Sequence, residues 1–213
     1  PMLLRGDGVY ADDISVEGQA YAYVFRSPYA HGVIRKLDVS AAAAASGVLC
    51  VLTADDLTAA GVKPLFCRLN LKSRDGSLMI KPDRPNLAVD KVRYRGEAIA
   101  VVVAESLEDA KDASELIDLD LEVLPAVTDA REALRDGMAQ LHDAAPANRA
   151  LDWEIGDEAE ADRIFAAAHH VTRLTFRNNR VVIAPMEPRA AVAEYDEESQ
   201  RYTLHVPTQG VFG

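Results

Sequence analysis

The chain lacks several features that define common protein classes. Its 213 residues include only two cysteines, Cys50 and Cys67, without the CxxC spacing of a zinc site. We therefore expect no disulfide framework and a reducing, cytoplasmic setting. Cys50 lies in an apolar strand pattern, which predicts a buried thiol. No apolar run approaches the roughly 20 residues that span a bilayer, and no secretory signal opens the chain.

Positive charge is also scarce. Lys and Arg number 23 against 34 Asp and Glu, which gives a net charge of −11. Such a balance repels phosphate backbones and anionic membrane surfaces, so neither nucleic acid nor membrane is an expected partner. The 49% of hydrophobic residues is ample for a packed core.

The usual catalytic and nucleotide-binding motifs are missing from the sequence. It contains no P-loop, no GxGxxG after a strand, no HExxH helix and no GxSxG elbow. His169 and His170 are adjacent, so on a strand they would face opposite sides and make a poor metal pair. The other histidines, His31, His142 and His205, are scattered and suit surface or hydrogen-bonded structural positions.

Two groups of carboxylates leave alternatives open. Three of them alternate along one predicted strand: Asp118, Asp120 and Glu122. They form either the exposed face of that strand or a general acid/base group, which would also need a cavity. Glu97 precedes an apolar strand, and its carboxylate is either paired with Arg93 or Arg95 or functional.

Hydrophobic periodicity predicts a mixed sequence of strands and helices. The predicted strands are Ala20–Arg26, Gly32–Val39, Val48–Thr53, Ala98–Ala104 (buried on both faces), Asp118–Val123, His170–Arg177, Ala190–Tyr195 and Tyr202–Val206, the last two forming a hairpin. The predicted helices are Ser40–Ala45 capped by Ser40, Ala54–Ala60, one capped by Ser106 and running through Ile117, Asp129–Arg135, and one that starts at Asp157 with an apolar face of Ala161, Ile164, Phe165 and Ala168.

The order of these elements predicts an α+β fold. The Ala98–Ala104 strand, the helix after it and the Asp118–Val123 strand suggest a crossover unit on one sheet. Residues 61–90 are an irregular, basic excursion, which is either a solvated loop or a contact surface for another chain. The domains are an α/β domain over 1–128, a linker over 129–155 and a partial β-rich unit over 156–213. From the residues alone, no reaction follows.

Several long stretches of the sequence resemble those of a known protein family. They are Gly8–Ile14, Arg26–His31, Gly47–Thr53, Asp90–Glu105, Glu122–Val127 and Asn178–Arg189 with its Pro185-Met186-Glu187-Pro188-Arg189 corner, followed by Thr208-Gln209. Together they resemble the α/β hammerhead domain and the following segment of the large, molybdopterin-binding subunit of the xanthine dehydrogenase and aldehyde oxidase family. The resemblance runs from about Leu4 to Gly213. It departs at Leu121, where an aromatic is usual, and at Ser46, where proline is common.

The resemblance implies an oxidoreductase that hydroxylates an aldehyde or N-heterocycle with oxygen derived from water. It implies a molybdopterin–molybdenum cofactor, with iron–sulfur clusters and FAD on partner domains or subunits and a dimer of heteromers in the intact complex. Gln209 matches a glutamine that hydrogen-bonds the molybdenum centre, a role that suits a neutral amide donor. Phe212 and Gly213 follow as weaker cofactor-binding candidates, and no protein ligand to the metal is implied.

The resemblance also implies that the chain is the truncated first part of a larger subunit. The family's glycine-rich GGGFG-type loop and its catalytic glutamate have no counterpart here, and Gly210–Gly213 is not that loop. We therefore expect the 213 residues alone to be inactive and to hold no pterin. The unpaired edge of the final hairpin predicts self-association or partial disorder after about Pro146. A non-catalytic hammerhead-type module for assembly or ligand binding remains the alternative, and the coding sequence after Gly213 distinguishes the two.

Overall fold

A computed structural model describes residues 2–179, 181–208 and 210 of the chain. The strands in chain order are β1 Tyr21–Arg26, β2 Gly32–Asp38, β3 Val48–Leu52, β4 Lys91–Val92, β5 Ala98–Ala104, β6 Asp118–Val123, β7 Val192–Asp196 and β8 Arg201–His205. The α-helices are α1 Ser40–Ala43, α2 Ala54–Ala59, α3 Leu107–Ser114 and α4 Glu158–Ala167, with 3₁₀ turns at Leu3–Arg5, Ala11–Asp13, Glu132–Leu134 and Pro146–Asn148. This mixture confirms the predicted α+β class.

The chain divides into two compact units. One comprises Ala20–Asp162, and the other joins Pro1–Gln19 with Arg163–Gly213. Among the described residues, no helix is long and apolar enough to cross a membrane.

The first sheet of the Ala20–Asp162 unit is antiparallel, with the strand order β1-β5-β3. Its central strand β5 is the apolar run AIAVVVA, and the prediction that it is buried on both faces is confirmed in the main by its burial pattern. Helix α3 packs on β1 and β5. The contact is built from small side chains, and Ala100, Ala104 and Ala110 are fully buried. Small residues let the helix approach the sheet closely.

The second sheet has the order β4-β2-β6 and is also antiparallel. Strands β5 and β6 therefore lie in different sheets, and the predicted crossover unit is wrong. The helix predicted between them is present as α3. A strand–helix–strand order in the sequence, however, does not require the two strands to share a sheet. A second core cluster, Ala88, Val92 and Ile99, packs against side chains from both sheets.

The starts of the helices follow capping chemistry, with one correction. Ser106 accepts a hydrogen bond from the amide of Asp109 at 3.0 Å, which confirms the predicted cap of α3. Ser40, predicted to cap α1, is instead its first residue. Both its amide and its hydroxyl donate to the carboxylate of Asp38, at 3.0 and 2.6 Å. A carboxylate two residues earlier thus satisfies the free donor, and these bonds lower the pKa of Asp38.

The prediction of a buried Cys50 is wrong, because its side chain is exposed. Strand β3 is an edge strand, and its register shifts between Val48 and Cys50. Leu49 and Cys50 consequently both face outward, whereas Val51 packs against the core. The continuous apolar run predicted a buried thiol, but the edge strand of a three-stranded sheet is poorly covered.

The irregular excursion forms a hairpin-like arm over residues 63–86, which we call the basic arm. Its two sides are joined by a sparse ladder of bonds: Asn86 Nδ2 to Lys63 O (3.2 Å), Leu65 N to Arg84 O (2.9 Å), Met79 N to Leu71 O (3.0 Å) and Ser73 N to Ser77 O (2.8 Å). The isolated bridges Leu65–Arg84 and Lys72–Leu78 lie on this ladder. The two sides of the arm, about ten residues each, are joined by only a few bonds. Such sparse pairing gives no regular hydrophobic period in the sequence.

The tip of the basic arm is fastened to residues 149–154. The amide of Arg74 donates to Asp152 O at 2.8 Å, and the amide of Ile80 donates to Ala150 O at 2.9 Å. The guanidinium of Arg74 also forks onto the carboxylate of Asp152, at 3.2 and 3.3 Å, and reaches Glu154 at 3.2 Å. These partners raise the pKa of Arg74. The arm is therefore held at its tip as well as at its base.

The unit that contains Arg163–Gly213 is dominated by the β7–β8 hairpin, which confirms the predicted one. The rings of Tyr195 and Tyr202 face each other at 4.6 Å across it. The predicted strand His170–Arg177 is wrong, since these residues form no ladder with any described strand and Phe176 is 79% exposed. Alternation alone makes no strand where a pairing partner is missing.

Helix α4 starts as predicted, with the amide of Glu160 donating to Asp157 Oδ1 at 2.9 Å. The apolar face predicted for this helix is exposed throughout. Ile164 and Phe165 are 55% and 61% exposed.

Candidate functional site

The residues predicted to serve the molybdenum centre lie at the end of the chain. Gln209, Phe212 and Gly213 fall outside the described residues. Their described neighbours are Thr208 and Gly210, and the Thr208 hydroxyl donates to Gly210 O at 3.0 Å. Gln209 thus stays a prediction from the resemblance.

The structure does bring together several of the strings that carry the resemblance. The loop after β1 packs onto the turn before β5, where the Ser27 amide donates to Glu97 O and the Gly96 amide donates to Ser27 O, both at 2.9 Å. Arg26 Nη1 donates to Gly96 O at 2.9 Å. The turn needs glycine, because Gly96 has a φ of +87°. We call this meeting point, residues 26–31 with 93–97 and 124–125, the motif junction.

Glu97 is buried at the centre of the motif junction. Its Oε2 accepts a hydrogen bond from the backbone amide of Arg93. The predicted side-chain pairing with Arg93 or Arg95 is wrong in that detail, because the guanidinium of Arg93 instead donates to Leu141 O and Lys91 O, both at 3.0 Å. A carboxylate that accepts from a backbone amide stabilises the tight turn between β4 and β5.

His31 is the second buried polar group of the motif junction, with 3% of its surface exposed. Its Nδ1 lies 2.8 Å from Pro125 O, and its backbone carbonyl accepts from the amide of Leu124 at 3.0 Å. Since a carbonyl can only accept, Nδ1 carries the proton in this arrangement. Nε2 is buried, and it has no hydrogen-bond partner among the residues that the structure describes. The prediction of a hydrogen-bonded structural histidine holds for one of the two ring nitrogens.

His142 lies beside the motif junction in the segment after the 3₁₀ turn Glu132–Leu134. Burial, followed by the positive charge of Arg93, lowers the pKa of His142, although the negative charge of Glu97 acts in the opposite direction. The imidazole is therefore held in its neutral form over a wider pH range than a free histidine.

Replacing Glu97 tests whether the motif junction is structural. Glu97→Ala removes the acceptor of the Arg93 amide, so we expect the free energy of unfolding to fall by about 1–3 kcal/mol. Glu97→Gln keeps a carbonyl oxygen and should lose less. Urea denaturation measures both, with Glu122→Gln on the exposed face of β6 as a control that changes stability by under about 1 kcal/mol. Equal stability of Glu97→Ala and wild type would contradict this role.

The remaining sequence candidates are surface groups. The carboxylates of β6 form an exposed face, as the simpler interpretation predicted. Asp118 pairs with Lys36 at 2.7 Å, and Glu122 pairs with Arg35. Within residues 2–179, 181–208 and 210, no group of three or more His, Cys, Asp or Glu side chains is arranged to hold a metal ion.

One cavity of about 260 Å³ lies between the tip of the basic arm and residues 146–152. Its two cations are already paired, since Arg74 and Arg149 both contact the carboxylate of Asp152. A pterin phosphate would have to displace that carboxylate. This cavity therefore offers no free cation to the phosphate of a molybdopterin.

Comparison with known proteins shows to which family this chain belongs. Residues 5–125 match the profile of the a/b hammerhead domain of aldehyde oxidase and xanthine dehydrogenase, and residues 141–213 match the molybdopterin cofactor-binding domain. The chain belongs to the aldehyde oxidase and xanthine dehydrogenase family. The Ala20–Asp162 unit contains most of the hammerhead match.

Proteins similar to this chain include a hydroxylase subunit, a dehydrogenase subunit and an oxidoreductase of known structure. The nicotine 6-hydroxylase large subunit of Paenarthrobacter nicotinovorans is 36% identical over 97% of this chain and 24% of its own length. The carbon monoxide dehydrogenase large chain of Afipia carboxidovorans is 34% identical over 94% of this chain and 25% of its own. Quinoline 2-oxidoreductase from Pseudomonas putida 86 superposes with a TM-score of 0.78 at 33% identity, covering 95% and 25% of the two chains. The chain thus spans about a quarter of the length of these relatives.

Proposed function

We propose that this chain forms the hammerhead domain and the first part of the cofactor-binding domain in the large subunit of a molybdenum hydroxylase. The observation that carries the proposal is the order of the two matches, hammerhead over 5–125 and cofactor-binding over 141–213. The proposed domains are residues 1–128, a linker over 129–155, and 156–213. The hammerhead part is a scaffold, because Nδ1 of His31 and the carboxylate of Glu97 at the motif junction bond to backbone atoms of its own fold.

The proposed reaction is hydroxylation of an aldehyde or an N-heterocycle with oxygen derived from water. Relatives named for nicotine and quinoline support the N-heterocycle class. Molybdopterin would supply the redox chemistry, and iron–sulfur and FAD subunits of a larger complex would receive the electrons. In this scheme the side-chain amide of Gln209 donates a hydrogen bond at the molybdenum centre. The 213 residues alone would neither retain molybdenum nor turn over.

The full-length subunit provides the test. We expect it to contain stoichiometric molybdenum and, in its complex, to transfer ¹⁸O from labelled water to an N-heterocycle or aldehyde. Gln209→Ala should lower kcat by about 10- to 100-fold, as for groups that orient a metal centre, with molybdenum content unchanged. Gln140→Ala, an exposed glutamine outside the proposed site, is the matched control. A full-length subunit without molybdenum would favour a non-catalytic assembly or ligand-binding module instead.

A further inference from the structure

The basic arm has a charge opposite to that of the chain that carries it. Between residues 63 and 84 it holds six Lys or Arg and two Asp, a net charge of +4, within a chain of net −11. The rest of the chain therefore carries −15. The positive groups of the arm are largely uncompensated, since among the described residues the side chains of Arg68, Lys72 and Arg84 form no ion pair.

Large apolar side chains of the arm are exposed among these charges. Leu65, Phe66, Leu69 and Leu78 are 56%, 75%, 56% and 69% exposed. The guanidinium of Arg68 sits 5.4 Å from the centre of the Phe66 ring, so a cation–π contact links the charged and the apolar groups. Exposed apolar side chains beside charged groups are common at interaction sites, and Arg and aromatic residues often carry most of the binding energy there.

The arm is also held in place before any partner binds. Its base is closed by the Asn86–Lys63 and Leu65–Arg84 bonds, and its tip is fixed through Arg74 to Asp152. A surface that is already ordered loses less conformational entropy on association. A solvated loop, the other interpretation of this segment, would need neither this anchoring nor exposed apolar side chains.

We propose that the basic arm is the docking surface for a partner subunit of the complex, one whose facing surface is acidic around an apolar patch. The proposal rests on the proposed function for the existence of such a subunit. Charge selects both the partner and its orientation, because an acidic subunit is attracted to the arm and repelled by the remaining −15 of this chain. Phe66 and Arg68 lie at the centre of the contact, and Lys72 contributes to its charged rim.

The test uses the full-length subunit and the separately produced iron–sulfur and flavin subunits of its complex. Arg68→Glu combined with Lys72→Glu reverses two uncompensated charges. Arg5→Glu combined with Lys111→Glu makes the same change in net charge at exposed positions outside the arm and is the matched control. Biolayer interferometry at low and high salt measures the dissociation constants, and hydrogen exchange compares the amides of residues 63–86 in free and bound states.

We expect the arm variant to weaken binding of one subunit by at least about tenfold, the scale of 1.4 kcal/mol, and the control by less than about twofold. Wild-type binding should weaken with salt, and the amides of the arm that make no hydrogen bond within the chain should gain protection when the complex forms. The proposal is overturned if the arm variant binds like the control. It is also overturned if protection of the arm does not increase when the partner subunit is added, or if a second copy of the large subunit gives the same increase. Molybdenum content, measured on the same preparations, reports separately on the proposed function.

Discussion

Replacing Ile99 by alanine is expected to lower the free energy of unfolding of the chain by about 2–5 kcal/mol. Ile99 is fully buried on the central strand of the first sheet and is among the three largest side chains that are completely buried. It belongs to the core cluster with Val92, into which β2 and β6 of the second sheet contribute Ile34 and Leu119. A cavity at this point removes packing between the two sheets, so neither sheet alone can collapse to fill it.

Two companion variants separate this cavity from a general effect of shortening β5. Ile99→Val removes one methylene and should cost only about 0.5–1.5 kcal/mol. Val103 lies on the same strand, but its side chain is only partly buried. Val103→Ala should therefore lower the free energy of unfolding by less than Ile99→Ala does. Urea denaturation of the purified chain gives all three values. Equal losses for Ile99→Ala and Val103→Ala would mean that the two sheets do not share a core at Ile99.

The sequence predicted the elements whose signals are local. The apolar run of β5 and the Ser106 cap of α3 depend on neighbouring residues, and both are observed. Pairing between distant segments was the harder part. The crossover unit was wrong because periodicity does not say which strands share a sheet. Short strands were allowed for in the basic arm, but their pairing was not predicted for the same reason, since Leu65 and Arg84 are distant in sequence.

Only the resemblance led to a candidate for the catalytic site, and that candidate stays a prediction. Composition and motif searches gave no reaction, and the role of Gln209 was carried over from a family pattern. The sequence stretches around His31 and Glu97 belong to the resemblance, and both stretches meet in the motif junction. The hydrogen bonds of these two side chains, however, are made to backbone atoms, which the sequence does not identify. Backbone acceptors carry no side-chain signature, so their partners cannot be read from a sequence.

Gly47 provides the second large expected effect. It precedes β3 with a φ of +76°, and a Cβ added to it would lie 2.7 Å from Oδ2 of Asp109. That carboxylate accepts the hydroxyl of Ser106 at 2.7 Å, and the Gly47 carbonyl accepts the amide of Glu105 at 2.8 Å. Gly47→Ala therefore strains the backbone and also pushes on the start of α3. We expect a loss of about 2–3 kcal/mol in the free energy of unfolding.

Gly61→Ala isolates the backbone contribution, because Gly61 has a φ of +74° and no atom within 4 Å of an added Cβ. It should cost about 1 kcal/mol, the usual scale of left-handed strain. The excess in Gly47→Ala then measures the contact with Asp109. If that contact operates, Asp109→Ala and Gly47→Ala should be less than additive in the double variant, since removing the carboxylate leaves nothing for the new methyl to displace. Additive losses, or equal losses at Gly47 and Gly61, would show instead that Asp109 rotates away at no cost and that only the backbone conformation requires glycine before β3.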